Sequence, residues 1–364
     1  MHSSRAALSR SKRIVVKLGS RVLDRNPELI ANIASEIAAL NSDKRSFLIV
    51  SSGAVSLGCR QLGYRKRPKE MARLQAAAAA GQSQLMRRYA DAFGDHGMTA
   101  AQVLLTHADL SHRERLNNAR QALSALLDAG AVPIINENDT VSTDEIRFGD
   151  NDQLASMVTP LIGADLLLLL TDVDGVLDPA GRRILLMKSG SQIGGAPEEA
   201  SASGQGGIAS KVDAAKKAQL AGAAVVIGPA EKRGIISDIL AGKSVGSLFP
   251  AGVAALRARK HWIAYTLRPL GTLLLDSGAV GALKTGTRSL LPIGVLGVSG
   301  DFHAGDAVRL LSRDGEEIGR GLSKMGALEV SRRAGKSSDE LAELFGLDAK
   351  QSVLVHKDDL VLLL

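Results

Sequence analysis

From about residue 13 to residue 249 short apolar runs alternate regularly with longer amphipathic stretches, and that alternation limits the fold more than any other feature of the chain. The runs Ile14–Leu18, Phe47–Val50, Ala101–Leu105, Val132–Ile135, Asp165–Leu170 and Ala224–Ile227 read as strands. The five consecutive leucines Leu166–Leu170 mark a strand buried on both faces, and they are far too short to span a membrane. Between the runs, Pro27–Leu40, Glu70–Phe93, Arg113–Asp128, Asp152–Ile162, Lys211–Ala221 and Gly234–Leu240 read as helices, the first with proline in its first turn. The order predicts an α/β domain over residues 13–250, a mainly parallel sheet sandwiched by helices. Ligands on such sheets gather at the C-terminal strand ends, where the polar loops after Val16, Val50, Ile135 and Leu170 fall.

After residue 250 the rhythm changes. Arg257–Arg268, with the only tryptophan Trp262, reads as part of a linker over 251–270. Gly271–Leu275, Gly294–Val298 and Ala307–Leu311 then predict a small, mostly-β domain with one or two helices over 271–350, and a C-terminal segment follows over 351–364. Residues 1–12 are Ser/Arg-rich without an apolar stretch of signal-peptide length, and read as a flexible tail. A single cysteine, Cys59, excludes an internal disulfide framework and fits a cytoplasmic setting; it reads as a buried structural thiol. The formal charge of +7 suits either a nucleic-acid partner or an enzyme of anionic substrates. The densest basic cluster, Tyr64-Arg65-Lys66-Arg67-Pro68-Lys69, reads as a solvated loop.

Two lysines beside glycines carry the strongest chemical signal. Lys17 leaves the first strand just before Gly19-Ser20, and Lys211 closes the loop Gly204-Gln205-Gly206-Gly207-Ile208-Ala209-Ser210 and opens a helix. Both arrangements hold phosphate, because glycine admits backbone N–H groups closely, a helix start offers free donors, and lysine adds a point charge. The segment Ser189–Gly207 ahead of Lys211 is Gly/Ser/Ala/Pro-rich and reads as a mobile nucleotide lid. Ala241-Gly242-Lys243-Ser244 imitates the end of a phosphate loop, but Ser237 stands where its first glycine belongs, so it reads as a helix C-cap. The histidines show no zinc spacing, and no site for a resident metal is read from the sequence.

Between the lysines lie Asn136-Glu137-Asn138-Asp139 and Gly149-Asp150-Asn151-Asp152, flanking a candidate hairpin Val141–Phe148. Carboxylates and amides converging at a strand end suit an ammonium group, a Mg²⁺ ion or the positioning of nearby lysines; two Asx turns and a helix N-cap are the plain alternative. Thr171-Asp172-Val173-Asp174-Gly175 opens like a calcium loop, but its twelfth position is Arg183, which leaves a nucleotide contact or a simple turn. Ser51-Ser52-Gly53-Ala54 turns a strand into a helix and offers hydroxyls and amides to a carboxylate.

Together these segments resemble the glutamate 5-kinase family of the amino-acid-kinase superfamily, with a C-terminal PUA domain. The resemblance spans nearly the whole chain from about residue 12. It rests on VVKLGS (15–20), SSGAV (51–55), RERLNNAR (113–120), VPIINENDTVST (132–143), FGDND (148–152), LLLLTDVDG (167–175) and GGIASK (206–211). It implies the amino-acid-kinase fold and transfer of phosphate from ATP to the γ-carboxylate of L-glutamate, the first step of proline synthesis. By the same resemblance Lys17 and Lys211 bind the phosphates and stabilise the transferred group, with Asp152 organising them. Thr171, Asp172 and the loop Gln205, Gly206, Gly207, Ile208, Ala209, Ser210 and Lys211 bind ATP. Ser52, Asp139 and Asn151 hold glutamate, with Gly53, Asn136 and Asp150 beside them. Mg²⁺ arrives with ATP, proline is a feedback inhibitor, and the protein is a homo-oligomer, dimer or tetramer. Gln205 stands where the family commonly has threonine, and Ile208-Ala209-Ser210 replaces a more hydroxyl-rich run; both departures bear on ATP affinity. PUA-type domains also occur in RNA-modifying enzymes, but aromatics make up only 3% of this chain, and no basic stripe interleaves with them for stacking on RNA.

Overall fold

Strand β1 (Arg13–Leu18) shows why the apolar runs become the middle of a sheet: Ile14, Val15, Val16 and Leu18 are all fully buried. The computed structural model describes residues 2–41, 44–142, 151–188, 193–194, 207–252, 258–286, 288–346 and 352–363. β1 pairs in parallel with β2 (Ser46–Ser51) and with β5 (Leu166–Thr171), placing Lys17 beside Val50 and Leu169. The other strands are β3 (Ala100–Leu105), β4 (Val132–Glu137), β6 (Ala224–Pro229) and β7 (Ser247–Phe249). Their order is β3-β4-β2-β1-β5-β6-β7, parallel throughout except for β7, which runs antiparallel to β6. The sequence pattern did not predict β7, whose three residues fall below the length at which alternation can be read.

Successive residues of each strand serve opposite faces, so one sheet feeds two cores. Ile14, Val16, Leu166, Leu168 and Leu170 join one cluster; Val15, Leu167 and Leu169 join the other. The first face is covered by α3 (Leu29–Asn41) and α5 (Met71–Gly94), the second by α7 (Arg113–Asp128) and the helices Asn151–Leu161 and Ile208–Leu220. Lys17, two residues after Val15, shares the parity of the second face and meets the starts of those last two helices. Short helices α2 (Ser20–Arg25), α4 (Ala54–Gln61) and α6 (His107–Ser111) follow β1, β2 and β3. Cys59 lies buried in α4, and burial pushes its thiol up, away from reactivity.

Helix α5 lies backbone to backbone on α4. A Cβ at Gly58 would sit 1.7 Å from the Ala77 carbonyl oxygen, and one at Gly81 would sit 1.8 Å from that of Ala54. Only glycine permits this approach, and it fixes α5 relative to the loop that opens α4.

Three expectations for the first 255 residues change. Pro27 lies in a turn ahead of α3, which begins at Leu29. The helix expected to open at Lys211 begins at Ile208, so Lys211 sits in its first turn. The expected N-terminal tail is instead helix α1 (His2–Ala6) continued by a 3-10 turn, Ala7–Arg10, with Leu8 buried in the core. The Arg5 guanidinium donates to the carbonyls of Leu185, Lys243, Val245 and Gly246 at 2.8–3.0 Å. Four acceptors around one planar, always-charged donor outweigh the disorder of a short Ser/Arg-rich segment. Gly242 ends the helix Ile235–Leu240 at φ 75°, in keeping with a C-cap rather than a phosphate loop.

Residues 256–364 form a second compact unit. Its sheet, β12 (Leu360–Leu362), β11 (Glu317–Leu322), β10 (Ala307–Leu311), β8 (Gly271–Leu275) and β9 (Val295–Gly300) in that order, is antiparallel except for the β8–β10 pair. Its longer helices are Ser277–Lys284, Ala327–Arg333 and Ser338–Phe345, and its core includes Leu273, Phe302, Val308 and Leu310. Part of the stretch read as linker folds within this unit: Trp262–Thr266 makes a π-helical turn with Ile263 and Ala264 fully buried. The final strand likewise places part of the C-terminal segment in the sheet.

Candidate active site

Lys17, Asp152 and Lys211 meet at the C-terminal end of the central strand. Asp152 stands in the first turn of its helix with no exposed surface, and the lysines are 5% and 7% exposed. Lys17 Nζ lies 2.7 Å from Asp152 Oδ1, and Lys211 Nζ lies 3.0 Å from Oδ2. Burial alone pushes the Asp152 carboxyl up, but the two ammonium groups beside it outweigh that and hold it below the usual carboxylate range. One carboxylate cannot neutralise two ammoniums, so the cluster keeps a surplus positive charge at the mouth of a glycine-led helix start. That surplus fits a phosphate group.

Asn151, the residue before Asp152, looks the other way. Its Nδ2 lies 2.8 Å from the Ser51 carbonyl oxygen, 2.9 Å from Ser52 Oγ and 2.9 Å from Asn136 Oδ1. Asn136 Nδ2 in turn donates to Gln82 Oε1 at 2.9 Å, and Tyr89 Oη donates to Ser51 Oγ at 2.8 Å. Burial pushes the Tyr89 hydroxyl far up, so it stays protonated as a fixed donor. Gly53, at φ 108°, makes the left-handed turn that leads β2 into α4 directly after Ser52. Two adjacent residues of one helix thus divide the site into a charged end with the lysines and a neutral end of amides and hydroxyls.

The remaining expected residues line the same strand ends. Asp139 stands in the turn after β4, partly exposed. Thr171 ends β5, buried, and its Oγ1 lies 3.1 Å from Asp172 Oδ1; Asp172 is exposed and pairs loosely with Arg25 at 3.7 Å. Gly207 caps the Lys211 helix, with Ile208, Ala209 and Ser210 in its first turn. Asp150, Gln205, Gly206, most of the candidate hairpin and nearly all of the lid segment lie outside the described residues. Gln82 and Tyr89 belong to the network although the sequence reading did not single them out. The one available signal was a glutamine directly after a helix-interior glycine in an otherwise alanine-rich stretch.

The arrangement can hold a polyanion at the lysines and a polar small molecule along the amides, at neighbouring strand ends. A model of the amino acid kinase family matches residues 12–228, and one of the PUA domain matches residues 271–345. The glutamate 5-kinase of Geobacter metallireducens is 44% identical over 371 residues, covering 98% of this chain and 99% of that protein. That of Thermus thermophilus is 45% identical over 362 residues, 97% of each. A solved structure of isopentenyl phosphate kinase aligns with 65% of this chain and 99% of its own at a TM-score of 0.44 and 20% identity. With the α/β sheet, the two-lysine cluster and likeness over nearly its full length, the chain belongs to the amino acid kinase family and, within it, to the glutamate 5-kinases.

Proposed function

We propose that this protein transfers the γ-phosphoryl group of ATP to the γ-carboxylate of L-glutamate, giving L-glutamyl 5-phosphate and ADP, the first step of proline biosynthesis. The observation that carries the reading is the pair Asn151-Asp152. One residue gathers both lysines, and the other gathers the hydroxyl and amides of a neutral subsite.

A carboxylate oxygen attacks the γ-phosphorus while the bond to the β–γ bridging oxygen breaks and ADP leaves with that electron pair. The nucleophile is already ionised at neutral pH, so no general base is required. The chain has instead to bring two anions together and neutralise the charge that spreads over the transferred group. Lys17 and Lys211 perform that task, and Asp152 holds both ammoniums in place. Removing a preorganised donor of this kind costs about 3–4 kcal/mol of barrier. Thr171, Asp172 and the segment Gln205–Lys211 are assigned to ATP. Ser52, Gly53, Asn136, Asp139, Asp150 and Asn151 are assigned to glutamate, Asp139 for the ammonium. The surplus charge of the lysine cluster suits the nucleotide phosphates. In this reading Mg²⁺ enters on ATP, where it would supply charge neutralisation.

The reading extends to proline as a feedback inhibitor, a homo-oligomer and a cytoplasmic location; among the described residues no helix is long and apolar enough to cross a membrane. The experiment is ADP release coupled to NADH oxidation with glutamate, N-acetylglutamate, aspartate and UMP in turn. Release dependent on glutamate alone is expected. Preference for any of the other three would overturn the assignment, and salt-sensitive RNA binding with no kinase activity would favour an RNA-directed role.

A further inference from the structure

The neutral subsite has a direction that its hydrogen bonds impose. The Ser51 carbonyl can only accept, so Asn151 must present Nδ2 to it, and the same nitrogen meets Asn136 Oδ1. Asn136 therefore presents its own Nδ2 to Gln82, which accepts through Oε1. Gln82 is left with Nε2 as its remaining group, and the amide cannot flip without opposing two acceptors or two donors along the chain. Gln82 is only 9% exposed, and Nε2 is fully buried with no hydrogen-bond partner among the described residues. Buried donors are nearly always satisfied, so an orphan in a candidate substrate site marks the place of an acceptor.

The donor is also held rigidly. The neighbouring Gly81 lies so close to the Ala54 carbonyl that α5 cannot slide on α4, whose first turn follows Ser52-Gly53. Resting on the glutamate reading, the chemistry then selects the acceptor. An N–H donor cannot serve the substrate's ammonium group, and the reacting γ-carboxylate belongs with the lysines on the far side of Asn151-Asp152. The acceptor that remains on an amino dicarboxylate is its α-carboxylate. We propose that Gln82 donates from Nε2 to the α-carboxylate of the substrate, and that this bond makes the site select amino dicarboxylates over ω-amino acids that lack that group.

The test uses the full chain, as wild type, Gln82→Leu and Gln82→Glu, with L-glutamate and with 4-aminobutanoate, which keeps the reacting carboxylate and amine but has no α-carboxylate. Losing a hydrogen bond to a charged group corresponds to about ten- to a hundredfold in binding. Gln82→Leu is expected to lower kcat/KM for glutamate by about that factor more than for 4-aminobutanoate, whose smaller loss reports the acceptor that Asn136 also loses. Where 4-aminobutanoate turns over too slowly to follow, its inhibition constant against glutamate supplies the same comparison. Gln82→Glu keeps an acceptor for Asn136 but sets an anion opposite the α-carboxylate, so its loss should be larger on glutamate and absent on 4-aminobutanoate. Equal losses on both substrates would reduce Gln82 to a structural prop, and no change on either would mean that water satisfies Nε2; both outcomes overturn the proposal. A wild type that turns over glutamate while the ratio stays fixed refutes this inference alone. A wild type inert towards glutamate refutes the functional reading beneath it.

Discussion

At the scale of single residues, Asp152 has two parts that can be separated by measurement. It gathers Lys17 and Lys211, the pair proposed above for phosphate, and it neutralises charge that the fold has buried. Lys211→Ala removes one phosphate contact and leaves Asp152 still paired with Lys17, so the protein should fold with an unchanged circular dichroism spectrum while kcat falls about a hundredfold or more. A variant that kept half of the wild-type turnover would take Lys211 out of the reaction. The stability effect of Asp152 has a definite sign with pH. Its folded carboxyl titrates below the usual range, so the stability it contributes is complete above the unfolded carboxylate pKa. That stability is lost only as pH falls through the lower, folded value. Urea midpoints of wild type and Asp152→Asn should therefore differ by a constant amount from about pH 7 to pH 5, with the gap closing only in stronger acid. A gap that closed near neutrality would place the titrating group elsewhere.

At the scale of elements, the N-terminal arm is the least expected part. Its guanidinium at Arg5 satisfies four carbonyls in the segments around Leu185 and Val245, which otherwise belong to different stretches of chain. Arg5→Ala would leave the buried Val245 and Gly246 carbonyls without that donor, at about 1–3 kcal/mol for each such group. Urea unfolding should show a matching loss, and proteolysis should cut the arm first. An unchanged midpoint would mean that water replaces the guanidinium at no cost. Sequence reading missed this element because Ser/Arg-rich residues carry no periodicity, and because Arg5's partners are 180 to 241 positions away. The parallel strands were legible for the opposite reason: Ile14–Leu18 and Leu166–Leu170 state their burial in their own composition. Lys17 and Lys211 stood out by the glycines beside them at a strand end and a helix start, and the fold brings both onto Asp152. Gln82 did not stand out. A glutamine inside an alanine-rich helix looks like surface until Asn136 is seen to donate to it, and that pairing depends on the fold bringing α5 to the end of β4.

At the scale of the whole molecule, the chain divides into two units, residues 1–255 and 256–364, each with hydrophobic clusters of its own. Every described residue assigned here to phosphate or to glutamate, from Lys17 to Lys211, lies in the first. The second is a mixed five-stranded sheet with Leu273, Val308 and Leu310 fully buried. A substitution that weakens this core without touching the first unit should separate folding stability from catalysis. Leu310→Ala removes a buried side chain at a cost of about 2–5 kcal/mol, according to how far the cavity can collapse. Calorimetry should show a lower melting transition than in wild type. At a temperature well below that transition, kcat and KM for glutamate and ATP should stay within about twofold of wild type, since an intact fold presents the same lysines and amides. A fall in kcat with the second unit still folded would overturn this division of labour. It would mean that the PUA unit helps to hold the kinase site in its working geometry, and that the two cores are coupled in energy although they are separate in sequence.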